Sequence, residues 1–139
     1  MVAIENPFTK PLPQVTPTTQ PYWDALKEEI VKIQYCESCG THIFYPRSHC
    51  PSCLSPKLDW REISGKGTLH TFTVTSQPTA PHFADEVPQL LAMVDLDVGV
   101  RMTSTLKNVE PSEIKVGMSL KPYFDHMTEG ITLLRFQPA

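Results

Sequence analysis

Residues 36–53 read Cys36-Glu-Ser-Cys39-Gly40-Thr-His42-Ile43-Phe44-Tyr45-Pro46-Arg47-Ser-His49-Cys50-Pro-Ser-Cys53, two C-x-x-C pairs ten residues apart. Each pair lets two thiolates point at one ion from a tight turn. The glycine after Cys39 permits the positive φ such a turn often needs. Together Cys36, Cys39, Cys50 and Cys53 supply four sulfurs, the tetrahedral set that zinc accepts. The spacer is shorter than the ~15–20 residues of the common ribbon pattern. It still suffices for a short hairpin between the knuckles, with Ile43-Phe44-Tyr45 as one strand. A filled four-sulfur shell leaves no position for water or substrate, so the metal is structural. A ribbon this small has almost no core, and the ion supplies its folding free energy, on the order of 10 kcal/mol. Two disulfides, or iron in a rubredoxin-type centre, are the alternatives. The paired spacing and the lack of a secretory pattern at the N-terminus favour metal, and zinc needs no redox partner. His42 and His49 lie within reach of the site but find its shell already complete.

Upstream, residues 1–18 are rich in Pro and Thr (Pro7, Pro11, Pro13, Pro17), which predicts an extended arm. A helical segment follows over 19–32. Thr18 or Thr19 can cap it, Pro21 suits its first turn, and Trp23, Leu26 and Ile30 fall at helical spacing. This places the helix itself at about 20–30. Tyr22 and Trp23 are candidates for packing on this chain or on a partner. Alternation from Val31 to Tyr35 predicts a strand running into the first cysteine pair, with the ribbon occupying 33–60.

Downstream of residue 60 the pattern is β. Gly67 to Thr75 alternates, with His70, Phe72 and Val74 on one face. Leu90 to Leu96 reads as a strand buried on both sides. Val100 to Lys107, Met118 to Asp125 and Ile131 to Phe136 complete five strands, and Pro122 puts the fourth at an edge. Five short strands over 61–139 predict a Greek-key barrel of the OB type. The expected fold class is therefore α+β, mostly β: arm, helix, rubredoxin-like zinc ribbon and five-stranded OB barrel. Long loops run from Ser76 to Gln89 and from Asn108 to Gly117. His82 and Phe83, in the first of them, are candidate binding contacts. Asp95 and Asp97 share a face and read as a solvated strand end before Gly99.

The net charge is -3, against the basic face expected of a nucleic-acid binder. The longest apolar run, Leu90 to Val94, is far too short to span a bilayer. A soluble, cytoplasmic chain is expected. No serine sits in G-x-S-x-G, and Gly65-Lys66-Gly67 is neither a P-loop nor G-x-G-x-x-G. A single-stranded nucleic-acid binder is the alternative function. It needs stacking aromatics and cations, and both are sparse over 62–139.

The chain resembles the bacterial and archaeal zinc-ribbon plus OB-fold proteins, formerly a domain of unknown function, encoded beside thiolases. The resemblance rests on Pro21-Tyr22-Trp23, both C-x-x-C pairs, Phe44-Tyr45-Pro46-Arg47, Ser64-Gly65-Lys66-Gly67-Thr68, Val94-Asp95-Leu96, Val116-Gly117-Met118 and Leu134-Arg135-Phe136-Gln137-Pro138. It covers about residues 12–138. Tyr45-Pro46 departs from the two prolines often found there. The resemblance implies a non-catalytic subunit that docks on a thiolase-fold catalytic subunit in a heterotetramer. Examples are benzylsuccinyl-CoA-type thiolases, archaeal acetoacetyl-CoA thiolase complexes and steroid side-chain aldolases. It implies that ribbon and helix make much of the contact and that the barrel lies near the acyl-CoA route. Tyr22, Trp23, Arg47, His82 and Phe83 are then the candidate contacts to partner or acyl-CoA.

Overall fold

The computed structural model describes residues 11–78, 80–128 and 130–139. Residues 1–10 of the expected arm lie outside the described residues, and residues 11–16 form neither helix nor strand.

Helix α1 spans Gln20–Lys27 with Pro21 in its first turn. The Thr19 hydroxyl does not cap it. That hydroxyl instead accepts the Thr16 N–H at 3.0 Å. Glu29 takes φ 61°, and the N–H groups of Glu29 and Ile30 turn back to the Leu26 and Ala25 carbonyls at 2.9 and 3.0 Å. This Schellman closure ends the helix early, so Ile30 lies beyond the apolar face expected to hold it. The buried face is Tyr22, Ala25 and Leu26, and Trp23 is half-buried.

Strands β1 (Val31–Cys36), β2 (His42–Ile43) and β3 (Leu58–Ile63) form the ribbon sheet in the order β2-β1-β3. The β1–β3 register runs from Val31↔Ile63 to Cys36↔Leu58. The sheet therefore continues past residues 33 and 60 at both ends. β2 stops at Ile43, two residues short of the expected strand, because Phe44 turns to pack its ring 5.4 Å from Tyr22. Among the described residues, the ribbon's own core is Cys36, Ile43 and Cys50, with Leu58 against it.

Strands β4 (Gly67–Thr75), β5 (Gln89–Leu96), β6 (Arg101–Thr105), β7 (Ser119–His126) and β8 (Thr132–Pro138) form a second sheet, ordered β6-β5-β4-β7-β8. One parallel bridge, Leu106↔Phe136, joins its two ends. This nearly closes the five-stranded OB barrel. β7 pairs with β8 throughout but with β4 only at Ser119 and Leu120. The Met127 N–H bonds the Ile131 carbonyl. By alternation the backbone groups of Pro122 face away from β8, onto that free edge, where a missing N–H costs nothing.

Helix, ribbon and barrel share one core that includes Leu26, Ile33, Leu69, Val94, Leu120 and Phe136. The short helix thus buries its face against its own chain. Gly65 has φ +74°, and a Cβ there would meet Pro122 at 2.6 Å and Val31 at 2.9 Å. At Gly67 a Cβ would run into the Asp95 carbonyl. The Gly-x-Gly signpost is the close-packed joint between ribbon and barrel.

Two expectations for the barrel are corrected. The β4–β5 register shifts between Leu69 and Thr71, leaving His70 as the extra residue of a bulge. Leu69 consequently turns inward and His70 is exposed, off the face of half-buried Phe72; Val74 stays on that face, opposite Leu90, at its exposed end. In β5, Ala92, Val94 and Leu96 are buried but Met93 is exposed, so that strand is covered on one side only. Asp95 faces Arg101 across the β5–β6 pair and accepts from its guanidinium at 2.6 and 3.2 Å. These bonds hold the Asp95 carboxyl below its usual range. Asp97 lies beyond the strand and accepts the Ser64 hydroxyl at 2.8 Å. The two carboxylates therefore act separately, each with its own partner. Among the described residues, no helix is long and apolar enough to cross a membrane.

Candidate metal centre and junction groove

Each knuckle is a tight turn. The Gly40 N–H bonds the Cys36 carbonyl and the Leu54 N–H the Cys50 carbonyl, both at 2.8 Å. The two turn residues take φ 76° and 64°. The first knuckle fills this left-handed position with glycine and the second with leucine. The four sulfurs lie within 4.8 Å of one another. Cys36–Cys53 and Cys39–Cys50 are separated by 3.5 and 3.6 Å. That is well beyond the ~2.05 Å of a disulfide. It is close to the ~3.8 Å edge of a tetrahedron with Zn–S bonds of about 2.3 Å. The residues fit a four-thiolate zinc site. Such an ion supplies stiffness and folding energy here, and the closed shell gives it no open position for chemistry. The Thr41 hydroxyl, then the neighbouring sulfurs, lower the Cys39 thiol to about 6, while the other sulfurs, Cys36 first, push the Cys53 thiol up to about 12; four close sulfurs share protons in this way until an ion displaces them. His42 packs its ring 5.0 Å from Tyr35, and His49 bonds the Ser48 hydroxyl. Neither joins the sulfur group.

A groove of about 380 Å³ lies where helix, ribbon and barrel meet. Tyr22 and Trp23 line it from α1, and Phe44, Tyr45 and Pro46 from the segment after β2. The barrel side is the open end of its sheet, Met102–Thr105 of β6 and Leu133–Arg135 of β8. The rings stack in sequence: Tyr22–Trp23 at 5.0 Å, Tyr22–Phe44 at 5.4 Å and Phe44–Tyr45 at 4.3 Å. Tyr45 at the rim is 52% exposed. Burial, aided by nearby Tyr45, pushes the Tyr22 phenol up, so it stays neutral. The one cation among the described residues of the lining, Arg135, is only 8% exposed. It donates to Asp125 at 2.6 Å and to the Thr105 hydroxyl, and lies 3.9 Å from Glu86. Its charge is neutralised within the fold.

Of the residues singled out from sequence, Tyr22 and Trp23 meet in this groove. Arg47 does not line it. Its side chain is exposed, and its backbone is clamped by Gln34, which donates to the Arg47 carbonyl at 2.8 Å and accepts its N–H at 2.7 Å. Phe83 sits half-buried in a 3-10 turn, Pro81–Glu86, and is not among the groove residues. The side chain of His82 lies outside the described residues. Sequence reasoning missed the groove role of Phe44 and Tyr45, which read as a hairpin strand, and of Ser104 and Arg135. An arginine inside the apolar run Ile131 to Phe136 was the available signal for the last.

A closed four-sulfur ribbon and an OB barrel, sharing one core around an apolar groove, define a ribbon–OB module. Known domains agree. The ChsH2 rubredoxin-like zinc ribbon domain matches residues 23–59, and the ChsH2 C-terminal OB-fold domain matches residues 60–125. A DUF35 domain-containing scaffold protein of Methanothermobacter thermautotrophicus is 35% identical over 95 residues, 68% of this chain and 71% of its own length. The chain belongs to this ChsH2-type DUF35 family of zinc-ribbon and OB-fold proteins. A probable enoyl-CoA hydratase alpha subunit of Thermomonospora curvata is 31% identical over 94% of the chain. This chain spans only 40% of that relative's length. Among solved structures, a chain of the Ltp2-ChsH2(DUF35) aldolase matches with a TM-score of 0.80 and 29% identity, covering 91% of this chain and 98% of that one. A DUF35 protein of unknown function from Sulfolobus solfataricus shares the fold at 17% identity and a TM-score of 0.61.

Proposed function

We propose that this chain is a non-catalytic subunit of an acyl-CoA carbon–carbon bond-cleaving enzyme. It docks on a thiolase-fold catalytic subunit and helps to form or cover the acyl-CoA site. The observation that carries this reading is the aromatic-lined groove, open to solvent and walled by all three parts of the molecule. An open apolar groove of this kind is a place for a ligand or a partner. The metal-stiffened ribbon holds Tyr45 and Leu54 exposed, 52% and 74%, at little entropic cost on binding. Relatives named as hydratase alpha subunits, and the matched aldolase chain, support membership of a complex. Nucleic-acid binding lacks support at the groove, since the one cation among its described lining residues is buried and bonded to Asp125.

The test is co-expression with tagged thiolase-fold subunits from the source genome. Capture of this chain at micromolar concentration is expected, weakened at least tenfold by Tyr45→Asp. Separate purification from every such subunit would sink the proposal.

A further inference from the structure

All four cysteines of the chain belong to the sulfur group, and they fall into two environments. Cys36 and Cys50 are buried in the ribbon core, while Cys39 and Cys53 are exposed. Each tight turn therefore anchors its first cysteine inside and carries its second outward. Two close sulfur contacts run from knuckle to knuckle, Cys36–Cys53 at 3.5 Å and Cys39–Cys50 at 3.6 Å. Each exposed sulfur thus faces a buried one from the opposite turn. Closing either contact to the ~2.05 Å of a disulfide needs about 1.5 Å of movement. Among the described residues, the ribbon core beyond the sulfurs is only Ile43, with Leu58 against it. Val31 and Ile33 of β1 belong instead to the core shared with the barrel. Losing the ion would therefore free the knuckle end of the ribbon and leave its barrel end anchored. Leu54, directly after Cys53, and Tyr45, between the knuckles, sit in the part that is freed, and both are exposed.

We propose that the site is also a peroxide-sensitive switch. A hydroperoxide oxidises the exposed Cys39 and Cys53, the buried Cys50 and Cys36 resolve them as disulfides across the knuckles, and the ribbon loses its ion and its docking surface together. The link to docking rests on the function proposed above; the sulfur chemistry does not. In the first step the Cys39 thiolate attacks the peroxide. An S–O bond forms, the O–O bond breaks, the sulfur becomes a sulfenic acid, and the second oxygen leaves as hydroxide or alkoxide. The Cys50 thiolate then attacks the Cys39 sulfur. An S–S bond forms, the S–O bond breaks, and the departing hydroxide is protonated to water. The same two steps join Cys53 to Cys36. Each disulfide consumes one peroxide and two thiolates, so two peroxides remove every anionic ligand of the ion. The chain holds no fifth cysteine to which either disulfide could pass.

The probe is hydrogen peroxide added to the zinc-loaded full chain, with and without the sulfenic-acid trap dimedone. Zinc release is followed with a colorimetric chelator and the linkages by peptide mass spectrometry. Expected are one zinc released per two peroxides consumed, linkages Cys36–Cys53 and Cys39–Cys50, and dimedone on Cys39 and Cys53 alone. Adding a dithiol and zinc restores the metal, and hydrogen exchange at Leu69, Val94 and Phe136 stays slow in the oxidised chain. Four results would each overturn the proposal: zinc retained until sulfinic or sulfonic acids appear, linkages within a C-x-x-C pair or between chains, dimedone on Cys36 or Cys50, or protection lost throughout the barrel. Capture by a thiolase-fold subunit is measured separately, and oxidation is expected to weaken it at least tenfold, reversed by dithiol and zinc. Equal capture before and after oxidation overturns the switch and leaves the docking reading standing. No capture even of the reduced chain overturns the link to docking together with that reading, and the zinc and linkage readouts still decide the sulfur chemistry.

Discussion

Leu54 occupies, in the second knuckle, the position that Gly40 holds in the first. Both take a positive φ, yet leucine is a poor choice for that conformation, which costs an L-residue about 1–2 kcal/mol. Leu54 is also 74% exposed, so its side chain packs little against the described residues, and the knuckle's backbone bond and metal hold the turn. A strained, exposed apolar side chain points to a role outside the fold. Leu54→Gly is therefore expected to raise stability in urea unfolding by about 1 kcal/mol and to weaken capture by the catalytic subunit. Greater stability with unchanged capture would remove Leu54 from the docking surface. Asp95 gives a pH test. Its carboxyl is held low by Arg101, so its contribution is full above the unfolded value of about 3.9 and is lost as pH falls through the lowered folded value. The parent should exceed Asp95→Asn in denaturant midpoint at pH 7, and the difference should shrink as pH falls below the unfolded value. A constant offset would mean that the pair contributes nothing specific.

At the scale of elements, the strands with strong alternation were legible, and so was the metal set. C-x-x-C spacing calls for a tight turn, and four thiolates suit zinc or iron whatever surrounds them. What escaped depended on distant partners. The helix closes before Ile30 because Glu29 accepts a left-handed backbone. His70 leaves the apolar face because β4 takes up an extra residue against β5. Phe44 leaves the hairpin because Tyr22 is there to receive it. None of these choices is written in local periodicity. The ribbon's small core makes one consequence testable. Chelating the metal at neutral pH is expected to abolish exchange protection at Gly40 and Leu54 while Leu69, Val94 and Phe136 keep theirs, because only the ribbon draws its folding energy from the ion. Uniform loss of protection would show that barrel and ribbon unfold together. The joint is expected to be less forgiving. Gly67→Ala drives a methyl into the Asp95 carbonyl and should cost about 1–3 kcal/mol in denaturant unfolding, with no loss of bound zinc. A neutral Gly67→Ala would contradict the close approach of β4 and β5.

For the whole molecule, helix, ribbon and barrel share one core, and the groove exists only where all three meet. The sequence named Tyr22 and Trp23, on a short helix, for packing on this chain or on a partner, and both line the groove. It could not place Ser104 or Arg135, since the seam that brings β6 and β8 together depends on how the barrel closes. Nor did it separate Arg47 and Phe83 from the groove, which only the third dimension does. The claim that matters most is that this chain works on a partner's reaction and performs none itself. The direct measurement is reconstitution: carbon–carbon cleavage of an acyl-CoA by a purified thiolase-fold subunit, with and without the zinc-loaded chain. The expected result is no turnover by this chain alone and at least a tenfold rise on adding it to the catalytic subunit, reduced by Tyr45→Asp. Turnover by the chain alone, or an unchanged rate in a complex shown to have formed, would contradict it.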